Sequence, residues 1–199
     1  MGGYSGVSVT GLSIARLLQM KFGEQQPIST ASTSVTLLRT EDFEQANLSQ
    51  LVSRPALTIF LYRADFNKAM RAAWAAVGSY TRQSQLALDL HFLITAWGDS
   101  AEDEYAILGR TMQIIEDTPI LSGPLLVGAT DWAANECVQL VMEDVETETL
   151  MRIFDSLPAD YRLSVPYIAR VVRIEGAQEQ TEPPVVTAVG GIKSGTELS

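Results

Sequence analysis

Two polar side chains lie two residues apart within an apolar run, and their types could support acid–base chemistry. Asp89 and His91 fall at odd positions of the stretch Leu86–Trp97, where they would share one face of a β-strand. A carboxylate that orients an imidazole base, which in turn activates a serine such as Ser164 or Ser122, is the arrangement of a serine hydrolase. The residues therefore admit a small serine-hydrolase-like enzyme that uses Asp89 and His91.

The sequence supplies no motif that would complete this hydrolase. None of its serines lies in the G-x-S-x-G turn that exposes a nucleophile. We therefore favour a structural role for Asp89 and His91, as a hydrogen-bonded polar pair on the less buried face of a sheet. His91 is the only histidine and Cys137 the only cysteine, so no zinc site with about four nitrogen or sulfur ligands is expected. With no P-loop and no G-x-G-x-x-G motif, we expect no cofactor.

The element that must position these residues is a predicted central strand. Its polar residues stand at odd positions, and a two-residue period of this kind predicts one face in the core and one more polar face. The large apolar residues stand at even positions: Leu86, Leu88, Leu90, Phe92 and Ile94. Gly98 ends the strand, and Ser100 begins a helix with Asp103 three residues later, as in a capping box. Pro119 ends that helix.

The remaining pattern predicts helices and short strands on both sides of this unit. A helix is predicted over Gly6–Phe22, and a short amphipathic one over Leu150–Leu157. Pro166 cannot donate a hydrogen bond to a neighbouring strand, so it marks an edge strand or a bulge. Strands are predicted at Val35–Leu38, Leu57–Tyr62, Val138–Glu143 and Tyr161–Ile174.

The fold class that follows is α+β, with a mixed, mostly antiparallel sheet flanked by helices. We expect a single domain over residues 1–175 and a flexible or extended tail over residues 176–199. The stretch Asp65–Gln85 leaves two alternatives open. Its alanines allow a helix over Lys68–Val77, whereas a long excursion between two strands is slightly favoured.

Composition excludes several classes of function. The formal net charge is −10, from 14 basic and 24 acidic residues. This argues against nucleic-acid binding, which needs a basic face, and against binding to an anionic membrane surface. No segment approaches the roughly 18 uninterrupted apolar residues of a membrane span. We also expect no signal peptide, since the first residues lack a basic start followed by a long apolar run.

The run LALDLHFLITAWGDSAEDEYAILGRTMQIIEDTPILSG resembles the signature of a domain family of contractile injection systems, which are phage-tail-like particles. Leu61-Tyr62-Arg63 resembles a strand ending of the same family, and the run from Tyr161 to Tyr167 resembles a later one. In this family the domain belongs to the cap, the protein that terminates the inner tube and engages the end of the sheath. The likeness covers about Leu57–Ile174.

The resemblance implies a non-enzymatic, tail-terminator-like structural protein. It would form a homo-oligomer, expected to be a hexameric ring, that contacts inner tube protein and sheath protein. It would assemble in the cytoplasm and then become part of a particle that is released or anchored. Two aromatic residues, Trp74 and Tyr80, could form a partner surface or equally cover the domain's own core. The candidate interface residues are Arg63, Trp74, Tyr80, Pro166, Pro183 and Pro184.

Overall fold

A computed structural model of the protein describes residues 3–70, 83–128, 132–133 and 135–179. The described residues contain four α-helices, two 3₁₀ helices and six strands. The helices are α1 (Gly6–Glu24), α2 (Gln45–Leu51), α3 (Ala101–Asp117) and α4 (Thr147–Asp155), with 3₁₀ helices at Thr40–Phe43 and Gly123–Leu125. The strands are β1 (Ser34–Leu38), β2 (Ala56–Phe66), β3 (Gln83–Trp97), β4 (Ile120–Ser122), β5 (Cys137–Met142) and β6 (Ser164–Glu179).

The six described strands form one sheet in the order β1-β2-β3-β6-β5-β4. β1 pairs with β2 in parallel, and every other neighbouring pair is antiparallel. The parallel pair is joined through α2, because parallel strands need a crossover connection. The predicted α+β fold with a mixed, mostly antiparallel sheet is therefore confirmed.

β3 lies near the middle of the sheet and is covered on both faces. Its even positions Leu90, Phe92 and Ile94 enter a first core, to which α1 and α3 contribute Leu17, Phe22, Ile107 and Ile115. Burying each such side chain stabilises the fold by roughly 1.5–3 kcal/mol. The prediction for this face is confirmed for these three residues, whereas Leu86 is 47% exposed because the first core ends before it.

The opposite face of β3 enters a second core, which the sequence pattern did not predict. Leu93 and Trp97 pack there with residues of β2, the first 3₁₀ helix and α4. His91, Thr95 and Trp97 are 4%, 2% and 3% exposed, so this face is not the less buried one. Polar groups at the Trp97 end of β3 are paired: the Trp97 indole N–H donates to Thr58 Oγ1 at 2.8 Å.

The two main helices begin and end close to their predicted residues. Ser100 caps α3 by accepting a hydrogen bond from the Asp103 backbone N–H at 3.1 Å, as the capping-box pattern predicts. α1 ends at Glu24 rather than Phe22, a difference of less than one helical turn. No helix among the described residues has the length and apolar character to cross a membrane.

The final strand differs from its prediction in position and in neighbours. β6 begins later and ends later than Tyr161–Ile174, and it lies between β3 and β5 rather than at an edge. Its two register shifts against β3 lie near Arg170 and between Glu175 and Glu179, not at Pro166. Pro166 is tolerated because its carbonyl accepts from Glu143 N at 3.0 Å, so its ring nitrogen faces the side on which β5 has just ended.

Two predicted segments fall largely outside the described residues. Residues 68–70 are helical, while 71–82 lie outside the described residues, so the choice between a helix and an excursion stays open. The described structure runs to Glu179, four residues past the predicted domain boundary, and the tail at 180–199 stays a prediction.

The two-sided burial of β3 gives a direct test. Replacing Leu90, which is 0% exposed, by Asp should prevent folding, because it places an unpaired charge in the first core at a cost of more than about 4 kcal/mol. Leu86→Asp changes the same residue type on the same strand where the side chain is exposed, so it should melt near the parent. Circular dichroism melting of both variants measures the difference, and equal melting of all three proteins would contradict the core assignment.

Candidate functional site

Five polar side chains meet on the face of β3 that enters the second core. We call this group the Glu143 network, and it comprises Tyr62, Arg63, Asp65, His91 and Glu143. The Glu143 carboxylate lies at its centre and accepts hydrogen bonds from the Tyr62 hydroxyl at 2.8 Å and from Arg63 Nη2 at 3.0 Å. His91 Nδ1 lies 2.8 Å from the same carboxylate. Residues separated by about eighty positions are thereby joined.

A bulge in β2 directs two neighbouring residues toward His91. The register between β2 and β3 shifts between Leu61 and Arg63, which makes Tyr62 an extra residue. A bulge re-aims the side chains beside it. Here the Tyr62 ring lies edge-on to the imidazole at 6.0 Å between centroids, and Arg63 pairs opposite His91. The Leu61-Tyr62-Arg63 motif therefore supplies two members of the network.

Glu143 reaches the network from the end of β5. Its backbone N–H donates to the Pro166 carbonyl, which holds the chain against β6 for one residue beyond Met142. The Glu143 side chain is 13% exposed and the His91 side chain 6%, whereas that of Arg63 is 43% exposed. The charged carboxylate is thus largely removed from water, which its three donors make tolerable.

Two further contacts close the outer side of the network. Arg63 Nε lies 2.9 Å from Asp65 Oδ2, and its guanidinium carbon lies 5.7 Å from the centre of the Tyr62 ring. With its proton on Nδ1, His91 donates to Glu143, and its Nε2 can accept from Arg63 Nη2 at 3.3 Å.

The pKa of Tyr62 lies above its usual value of 10.0. The larger cause is burial of the hydroxyl, and the second is its hydrogen bond to Glu143.

The structure does not assemble the serine hydrolase that Asp89 and His91 could suggest. Asp89 accepts from Asn67 Nδ2 at 3.0 and 3.2 Å instead of orienting His91, so the two do not form the predicted pair. Ser164 bonds Thr95 at 2.7 Å. Ser164 pairs with Thr95, which lies four residues along β3 from His91. Four residues of strand span about 13 Å. Ser122 lies on β4 at the edge of the sheet.

The described residues also hold no cluster of His, Cys, Asp or Glu that could bind a metal ion. Taken by themselves, His91 and Glu143 resemble an acid–base pair. Both side chains, however, bond to other protein groups of the network. What the network can do chemically is to tie β2, β3 and the end of β5 together.

The predicted interface residues fall into three groups. Arg63 belongs to the Glu143 network, with part of its side chain exposed. Pro166 is buried within the sheet. Trp74, Tyr80, Pro183 and Pro184 lie outside the described residues, so their contact roles stay predictions.

Sequence reasoning missed Glu143 as a functional residue. It appears in the sequence only as the last residue of a predicted strand, and no local pattern links it to Tyr62 or His91. The one available signal was a lone histidine at an odd position of an apolar strand, since a buried imidazole needs a partner.

The sequence matches the family model described as the Pvc16 N-terminal domain over residues 11–188. The chain belongs to this family. The predicted resemblance to the cap family of contractile injection systems is thereby confirmed. Among curated protein sequences, none matches this chain.

Two solved structures are similar to this chain to different degrees. One is the sheath/tube terminator of an extracellular contractile injection system, PVC, in its extended state. It shares 18% identity and a TM-score of 0.56, covering 97% of this chain and 65% of that chain. Another is the anti-feeding prophage tube-terminating cap, with 18% identity and a TM-score of 0.43 over 69% of this chain and 49% of that chain. This Pvc16 N-terminal domain thus has the fold of the terminator, and it spans about two thirds of that chain's length.

Removing the central carboxylate should destabilise the fold. Glu143→Ala leaves Tyr62, Arg63 and His91 without their shared acceptor, so we expect a loss of about 2–4 kcal/mol in the free energy of unfolding. Glu148→Ala is the matched control, because it breaks an ion pair with Arg152 whose side chains are 72% and 75% exposed. It should change stability by less than about 0.5 kcal/mol. Urea unfolding measures both, and equal losses would show that the network is not stabilising.

The raised pKa of Tyr62 predicts a weaker fold at alkaline pH. Below pH 10 Tyr62 is neutral in both states, so its contribution is fully present; as the pH rises further, the unfolded tyrosine ionises first and stability is lost. Tyr62→Phe should therefore flatten the decline in unfolding free energy above about pH 10. Burial also raises the pKa of Tyr167, which contributes the same decline to both proteins. Identical slopes for the parent and Tyr62→Phe would contradict this assignment.

Proposed function

We propose that this chain is a structural cap domain that terminates the inner tube of a contractile injection system and engages the end of its sheath. The observation that carries the proposal is the family match over residues 11–188. The fold shared with a sheath/tube terminator supports it. The two motifs that carry the resemblance in β2 and β3 are consistent with it, because they supply Tyr62, Arg63 and His91 to one largely buried network.

The proposed role is not enzymatic. The polar side chains that could support catalysis are hydrogen-bonded to one another, since Glu143 binds Tyr62, Arg63 and His91. The proposed cap role requires a rigid body with surfaces for repeating partners rather than a catalytic residue. A largely buried hydrogen-bonded network between strands that are distant in sequence provides such stiffness.

The proposed partners are inner tube protein, sheath protein and further copies of this chain, arranged as a hexameric ring. The net charge of −10 favours protein partners over nucleic acid or an anionic membrane surface. We place assembly in the cytoplasm, after which the cap forms part of the particle. Sheet edges suit repeating partners, because their backbone groups can pair with an added strand.

Binding at tube ends is the decisive test. Fluorescently labelled protein mixed with assembled tubes from the same genome should bind at tube ends and not along the wall. The reason is that a tube end exposes a surface that layer-to-layer contacts hide elsewhere. Imaging of single tubes measures the distribution of label, and an unrelated labelled protein of similar net charge serves as the control.

Two results would defeat the proposal: label along the tube wall, or no label at either end. Specific labelling by a serine-reactive probe, lost on replacing His91 by Gln, would instead favour the hydrolase alternative.

A further inference from the structure

A groove lies on the surface of the second core, between α2 and the segment that joins α4 to β6. We call it the Trp97 groove. It has two adjoining parts, of about 810 Å³ and about 460 Å³. The larger part is lined mainly by α4 and the chain after it, and the smaller part by α2 and the chain before β2. The two parts form one continuous depression, since they share Gln45, Leu48, Trp97 and Arg162.

The floor of the groove is apolar. Trp97 and Phe154 are buried members of the second core, and Leu48 packs against the same core. The Tyr161 ring lies edge-on to Phe154, with 5.3 Å between the ring centroids. Met151 lines the groove and is about half exposed. An apolar side chain of a ligand would therefore find carbon atoms to pack against along most of the groove.

The smaller part of the groove is basic, in contrast to the protein as a whole. Its two charged residues are Arg54 and Arg162, although the chain carries 24 acidic and 14 basic residues. The guanidinium carbon of Arg162 lies 4.5 Å from the centre of the Trp97 ring, and its Nη1 lies 3.5 Å from Glu104 Oε1. These two contacts hold the guanidinium in place. Arg54 is exposed and forms no ion pair within the described part of the chain, so its charge is available to an anion.

The larger part of the groove carries the opposite charge. Besides Arg162, its charged lining residues are Asp155 and Asp160. This polarity disfavours a nucleic-acid strand, because its regularly spaced phosphates would also lie beside these carboxylates. A peptide can instead place a carboxylate at the basic end and a basic side chain at the acidic end, with apolar side chains between them.

We propose that the Trp97 groove binds a segment of a partner protein in which apolar residues separate an acidic side chain from a basic one. The carboxylate binds Arg54 and Arg162, since a guanidinium can donate two parallel hydrogen bonds to a carboxylate. The apolar residues cover Trp97, and the basic side chain pairs with Asp155 or Asp160. This proposal goes beyond the cap function and does not depend on it.

The reach of the chain argues against residues 71–82 as the occupant. Gln83 and Trp97 are fourteen residues apart on β3, which is about 46 Å along the strand. The thirteen steps from residue 70 to Gln83 span at most about 47 Å in total. This length is too short to extend to Trp97 and return.

The reach of residues 180–199 is the second consideration. Glu179 lies opposite Gln83, so only residues beyond about 192 could span the same 46 Å or so to the groove. Glu197 is the single acidic residue among them. Substitution of this residue therefore separates binding of the chain's own end from binding of a partner.

Binding of a synthetic peptide tests the proposal. The probe is a fluorescein-labelled peptide with one glutamate, two leucines and one lysine in that order, flanked by glycines. A second peptide has glutamine in place of the glutamate. Fluorescence anisotropy should show that the glutamate peptide binds roughly tenfold more tightly, because only it offers a charged acceptor to the arginines. The difference should shrink at about 0.5 M salt, which screens exposed charges.

Matched variants locate the binding site. Arg54→Gln should remove the preference for the glutamate peptide. Arg16→Gln should keep it, because Arg16 is also exposed but lies on α1, which packs on the other face of the sheet. Met151→Gln should weaken both peptides, whereas Met20→Gln changes a similarly exposed methionine on α1 and should weaken neither. Melting curves confirm that each variant is folded, and the comparison of the two peptides needs no variant.

Several results would overturn the proposal. Equal affinity for the two peptides, no binding up to about 1 mM peptide, or equal losses in Arg54→Gln and Arg16→Gln would each exclude this site. Displacement of the peptide by single-stranded oligothymidylate would assign the groove to nucleic acid. Tighter peptide binding in Glu197→Gln would show that the chain's own end occupies the groove. Tube-end binding is measured separately, and its failure would leave these results unchanged.

Discussion

Strand β3 is covered on both faces, and this constraint governs how its polar residues are accommodated. The His91 imidazole is covered by the second core and has almost no contact with solvent, so it must form hydrogen bonds within the protein. Glu143 provides one, and the same carboxylate then draws in Tyr62 and Arg63 from the bulged strand β2. The bulge in β2, the end of β5 and the interruption of the β5–β6 ladder at Pro166 all lie at this point. The network is thus a consequence of burying His91 as much as a feature in its own right.

Local patterns predict the elements of this protein well. The alternation along β3, the apolar stripe of α1 and the N-cap at Ser100 each depend on residues a few positions apart, and each appears in the structure. Burial of the second face of β3 could not be predicted in this way. It depends on Phe43 and Phe154, which lie far away in the sequence. The same limitation applies to Glu143, whose partners precede it by some eighty residues.

Pro166 shows how a correct local rule can give a wrong position. A strand proline does lack a donor, and an edge or a bulge is the usual place for it. Here β6 is internal, and the missing donor falls where one neighbouring strand ends. The rule therefore applies to each side of a strand separately, and not to the strand as a whole. Which side is open depends on the length of β5, and the sequence around Pro166 carries no information about it.

The bulge in β2 also constrains the length of that strand. Leu61, just before the register shift, packs against the first core, and Tyr62 packs against the second. Because successive side chains of a strand point to opposite faces, one residue inserted or deleted at the bulge would turn every later side chain of β2 to the other face. Strand β2 should therefore tolerate a change of residue type more readily than a change of length.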